Sequence, residues 1–165
     1  MNKQEKESQA KAFVHKLEML NTVDMARLKR NAGKSLAEAR GVNMLIYHLL
    51  PFNISNTHAE MYFLVATLYP LADGGGSGNF GASLRRAQNI TNRKGIDRRI
   101  EALLDAEGAQ LSFRLRQAIH FLHSNRVRVN WNQLLDDLLH WNHPERFVQH
   151  SWAREYYAVP EINQP

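Results

Sequence analysis

Residues 110–123 read QLSFRLRQAIHFLH, and they decide the fold. Wound at 3.6 residues per turn, Leu111, Leu115, Ala118, Ile119 and Leu122 fall on one stripe, the spacing of a helix with a single buried side. Phe113 then lies on the opposite side, with Arg116, Gln117 and His120 around it and Arg114 at the border. A phenylalanine turned outward beside two arginines is unusual for a surface that meets only water. Such a ring either stacks on an unpaired base while the arginines hold phosphates, or packs against the other half of the protein or a second subunit. Both readings are open at this level.

The same period extends in both directions. Over 96–107, Ile96, Ile100, Leu103 and Leu104 form an apolar stripe, flanked by Arg99, while Arg98 points away. Over 131–141, Trp131, Leu134, Leu135 and Leu138 do the same, leaving Asp136 and Asp137 on a face expected to be solvated. Pro144 stands where the first residue of a closing helix is expected. A basic helix is expected near 82–90. Toward the N-terminus, Ala10, Phe13, Leu17 and Leu20 mark an amphipathic helix. Thr22 is read as N-cap and Gly33 as stop of a second helix carrying Arg27, Lys29 and Arg30. A further helix within 42–50 ends before Pro51. Thr57 with Glu60 reads as a capping box opening a helix through Tyr69. Convincing β alternation is absent; only Arg126 to Trp131 is expected to be briefly extended.

The stretch DGGGSGNFG, Asp73 to Gly81, reads as a flexible loop and the one clear break in the pattern. The expected fold is therefore all-α, two small helical bundles joined by a Gly-rich loop. The expected division is an N-terminal bundle over 1–73, a linker over 74–81 and a C-terminal bundle over 82–165.

The chain has 165 residues, enough for one domain or two small ones sharing a core, and excludes a large multi-domain enzyme. With no cysteine, disulfides, thiolate metal sites and cysteine nucleophiles are all excluded, which suits a reducing cytosol. The polar start MNKQEKESQAKAF is no secretory signal, and the apolar run Met61–Ala72 is too short to span a bilayer. A cytoplasmic protein with no membrane partner is expected. The net charge of +5 is unevenly spread. Residues 24–40 hold five basic and two acidic groups, and 81–128 hold ten and four. Between them, 41–80 contains no Lys or Arg at all, and 129–165 is net acidic. Two basic blocks on an apolar helical frame point to a polyanion partner.

Several motifs fail on context. Gly33-Lys34-Ser35 resembles the end of a phosphate-binding loop, but Leu28 stands where that loop needs glycine, and no strand precedes it. Gly76 to Gly81 matches G-x-G-x-x-G literally, yet it follows a helix rather than a strand. The pairs His120/His123 and His140/His143 have metal-site spacing without a clear third ligand. No catalytic constellation, metal site or cofactor is expected. What remains is backbone chemistry: forked or mobile cations that donate to phosphates without reading bases. The candidate nucleic-acid-binding residues are Arg27, Lys29, Arg30, Lys34, Arg85, Arg86, Arg98, Arg99, Arg114 and Arg116.

A set of strings carries a resemblance. In order these are LVATLYPLADG (64–74), SLRRA (83–87), Asp97-Arg98-Arg99-Ile100, LLDAEG (103–108), FRLRQAI (113–119), LLDDLLHW (134–141) and WAREYY (152–157). Across roughly 23–157, and most densely after Ile96, the chain resembles the CasB family, the small subunit of the type I-E CRISPR Cascade complex. The resemblance implies an all-α, two-bundle, non-catalytic subunit that forms a homodimer inside an RNA-guided surveillance complex for antiviral defence. Its partners would be other Cascade subunits, the guide RNA, the target DNA and the displaced single-stranded DNA. Its basic surface would support the guide RNA–target DNA hybrid and hold the displaced strand, with base pairing reading sequence. By position that surface falls on Lys29, Arg30, Arg99 and Arg116. Gln117 stands where the family carries another arginine, and the long glycine loop at 74–78 also departs from the pattern. The alternative reading is a purely structural assembly subunit without direct nucleic-acid contact; a histidine-based hydrolase or metalloprotein is a third class.

Overall fold

The computed structural model describes residues 2–158, without the side chains of 6–8; Met1 and 159–165, the outer ends of the two expected halves, lie outside the described residues. Nine α-helices are present among the described residues, and no strand. They are α1 (Lys3–Glu18), α2 (Thr22–Arg30), α3 (Asn43–Leu49), α4 (Asn56–Leu68), α5 (Phe80–Thr91), α6 (Ile96–Leu104), α7 (Gly108–Ser124), α8 (Trp131–Leu139) and α9 (Phe147–Tyr157). A single 3-10 turn, Tyr69–Leu71, continues α4 through Pro70. Among the described residues no helix is long and apolar enough to cross a membrane.

The stripes read from the sequence are buried. Ala10, Phe13 and Leu17 of α1, Ile96, Ile100 and Leu103 of α6, and Leu111, Leu115, Ile119 and Leu122 of α7 belong to one contiguous hydrophobic cluster. That cluster crosses the glycine stretch. α8, which follows it in sequence, packs on α1 and α4, which precede it, while α5 lies along α9. Phe13 of α1 meets Tyr62 of α4 edge-on at 4.8 Å, and Tyr69 meets Trp131 at 5.3 Å. Trp152 of α9 stands between Phe80 at 5.0 Å and Trp141 at 5.1 Å. Gly81 makes that approach possible, because a Cβ there would collide with the carbonyl oxygen of Trp152.

Several local expectations are corrected by the hydrogen bonding. The N-cap of α2 is Asn21, whose side chain accepts from the Asp24 amide, one residue before Thr22. Helix α4 is capped by Ser55, not by a Thr57/Glu60 box. The Glu60 carboxylate instead accepts from the Leu36 amide in the α2–α3 loop, a long-range bond that no local pattern shows. Pro144 does not open α9, which begins at Phe147 after Arg146 in a left-handed conformation. Arg146 donates to the Leu104 carbonyl at 2.7 Å, and this pins the turn onto the end of α6. Asp136 and Asp137 are half-buried rather than solvated: Asp137 accepts from Trp152 Nε1 at 2.8 Å and from Gln133 at 2.9 Å.

The glycine stretch, read as a flexible linker, is seated on the segment before α8. Gly74 and Val129 form an isolated parallel bridge, which is all the extension that Arg126 to Trp131 shows. The Val129 amide donates to the Asp73 carbonyl at 2.9 Å, and the Gly76 amide donates to the Val129 carbonyl at 3.2 Å. Asn130 adds a bond to the Gly78 carbonyl at 3.1 Å. A Cβ at Gly76 would collide with the backbone of Arg128. The glycines here serve close approach of two backbones.

Candidate nucleic-acid interface

Helix α7 is the spine of the basic surface. Its buried stripe fixes its rotation, so Phe113, Arg116, Gln117 and His120 are all exposed along one outer face, and Arg114 is half-buried at its edge. The tertiary structure adds what flanks this face on each side.

On one side lies the end of α2. Burial of Leu28 turns Arg27, Lys29 and Arg30 outward in the last turn, where cations also complement the helix dipole. The loop beyond is shaped by Asn31, a buried polar side chain with all its bonds satisfied. Its Nδ2 donates to the carbonyls of Arg27 at 2.9 Å and Arg40 at 3.1 Å, and its Oδ1 accepts from the Arg40 amide at 3.0 Å. The loop brings Gly33, in the left-handed region at φ 90°, under the Arg116 guanidinium; a Cβ there would sit 3.0 Å from its Nη1. Lys29 and Arg116, 87 positions apart in sequence, thus share one patch with His120. Although His120 is exposed, its imidazole is held below its ordinary pKa, first by partial desolvation of the ring against the protein and then by the positive charges of Arg116, His123 and Lys29.

On the other side, α6 and α7 enclose a shallow groove with an apolar floor that includes Ile100, Leu103 and Ala118, and with Arg99, Arg114 and Gln117 among its walls. Arg114 also lies over the Phe113 ring, its guanidinium carbon 5.5 Å from the centroid. Lys29, Arg99, Arg114 and Arg116 therefore flank or carry the outer face of α7.

The remaining expected residues sit elsewhere or are engaged. Arg27 is partly neutralised by Asp24 at 3.8 Å and lines a separate hollow with Arg30 and Arg40. Arg40 was not anticipated, since nothing local in the sequence shows that Asn31 folds it back beside α2. Arg86 donates to the Ser77 carbonyl at 2.6 Å and to Ser83 Oγ at 3.1 Å, so it clamps the glycine stretch onto α5. Arg85 is half-buried, and its charge acts on Tyr156, which donates to Asp97 at 2.6 Å. Lys34 and Arg98 are exposed. Among the described residues no group of three or more His, Asp or Glu is arranged to hold a metal. His140 bonds to the Asp136 carbonyl at 2.8 Å, and both His140 and His143 pack on Phe147.

The chain is similar to known proteins over most of its length. A family model described as CRISPR-associated protein Cse2 matches residues 24–157. The CRISPR-associated protein Cse2 of Thermus thermophilus is 43% identical over 102 residues, which span 61% of this chain and 57% of that relative, little more than half of its length. A crystal structure of CasB from M. ruber superposes with a TM-score of 0.77 at 28% identity, covering 90% of this chain and 92% of the other. A crystal structure of a Cse2-family protein from Thermus thermophilus superposes at 0.76 with 30% identity, covering 91% and 98%. A chain of a CRISPR RNA-guided surveillance complex shares the fold at 0.77, with 19% identity and 92% of each chain covered.

Proposed function

The chain belongs to the CRISPR-associated Cse2 family, and from that premise we propose that it is a non-catalytic subunit of an RNA-guided surveillance complex. In this reading it binds nucleic-acid backbone without regard to sequence, supports the guide RNA–target DNA hybrid and holds the displaced strand. Its partners are the other complex subunits, the two nucleic acids and a second copy of itself. One observation carries the reading beyond the family: Arg116 lies over Gly33, which brings the end of α2, with Lys29, beside the outer face of α7. That face offers forked guanidinium and ammonium donors, the chemistry that holds phosphates.

Backbone binding of this kind is read by its salt dependence. Each phosphate contact contributes roughly 0.7–0.9 to the slope of log K against log salt. Paired reversals, Lys29→Glu with Arg30→Glu and Arg99→Glu with Arg116→Glu, are expected to flatten that slope and to weaken retention of the displaced strand in the assembled complex. Helical content by circular dichroism should be unchanged. Normal retention of the strand by both variants would sink the proposal. If the wild-type chain has no affinity for DNA or RNA, and the reversals instead release neighbouring subunits, the chain is an assembly subunit only.

A further inference from the structure

Phe113 stands out among the exposed apolar residues by its setting. It is 52% exposed at the centre of the α7 face and belongs neither to the buried cluster nor to the half-buried apolar residues packed on it. Phe147, the exposed phenylalanine of α9, instead has two histidines on its ring. Among the described residues no aromatic ring stacks on Phe113; its one ring partner is the Arg114 guanidinium at 5.5 Å. A cation over one part of the ring holds it in place and still leaves π surface open. Arg116 lies one helical turn further along the same face, a spacing of about 5–6 Å between neighbouring side chains.

We propose that Phe113 is a stacking seat for one unpaired base of a single strand, with Arg114 steadying the ring and Arg116 holding an adjacent phosphate. This rests on the backbone-binding reading above and adds a base contact to it. An unpaired base has both π faces free, whereas a base inside a duplex is already covered by its neighbours. The seat therefore distinguishes single strand from duplex while remaining indifferent to sequence, because every base has a π face. The flanking cations argue against an apolar protein surface as occupant: burying that ring in a dry contact would also desolvate Arg114, which lies across it.

The test compares two single-stranded oligonucleotides of equal length, one with bases and one abasic throughout, titrated against the full chain by fluorescence anisotropy at fixed low salt. Phe113→Ala should weaken binding of the base-bearing strand by about tenfold, leave the abasic strand unchanged and keep the salt slope of the wild type. Phe113→Trp should restore affinity for the base-bearing strand. Equal losses on both strands, or no loss on either, overturn the seat. So does a Phe113→Ala chain whose sedimenting mass falls while its affinity holds, because the ring then belongs to an interface between copies. If the wild-type chain binds both strands equally, stacking fails and backbone binding stands. If it binds neither, the backbone reading fails and takes the seat with it.

Discussion

Asp137 shows how far a single residue departs from its local reading. On the sequence it is one of two adjacent acids outside an apolar stripe. In the fold it is the acceptor for the indole of Trp152 and for Gln133, half-buried between α8 and α9. Burial pushes its carboxyl above the ordinary value, and the two donated bonds offset that only in part. A carboxyl that holds its proton more tightly in the folded state loses stability as pH rises from about 4 through its raised value, since the native charge is then the costlier one. Asp137→Asn does not titrate, so this decline should vanish from urea midpoints measured between about pH 4 and 7. Equal slopes for wild type and variant would show that burial of the charge is not limiting. Phe113 is the opposite case: its outward direction is legible in the period of α7 alone, because the buried stripe leaves no other side for it.

At the scale of elements, the helices follow from spacing and their ends from contacts made elsewhere. The stripes predict α6, α7 and α8 to within a few residues, because burial along one side at 3.6 residues per turn has no other solution. The caps fare worse. Ser55 rather than Thr57 opens α4, since Glu60 is drawn away to the Leu36 amide. Asn79 both caps and ties: its Oδ1 accepts from the Ala82 amide at 2.9 Å, and its Nδ2 donates to the carbonyl and hydroxyl of Ser151 in α9. Asn79→Ala should therefore cost about 1 kcal/mol for the cap, and more for the lost ties to α9. Ser151→Ala should cost less than Asn79→Ala, and chemical denaturation of the two variants separates the contributions. A larger loss for Ser151→Ala would mean that Ser151 stabilises the fold by more than its bond to Asn79.

For the molecule as a whole, the decisive fact is that one hydrophobic cluster spans both sides of the glycine stretch. With α8 on α1 and α4, neither half can open without exposing the other's core. Unfolding should be one cooperative transition, with far-UV circular dichroism and tryptophan fluorescence giving the same midpoint. Separate midpoints would mean that the halves open independently. The glycine stretch itself illustrates why its role was not legible. Glycine serves flexible linkers and tight backbone packing alike, and only the presence of Val129 and Arg128 against it selects the second. The sequence by itself determined the helical class, the buried stripes, the two basic blocks and the family, because each rests on residue type and short-range spacing. The tertiary structure alone decided that the α2 end of one block lies beside α7 of the other. Arg116 reaches the loop that Asn31 folds through the space that Gly33 leaves open, and its charge and that of Lys29 both act on His120, relations between segments that no local period connects.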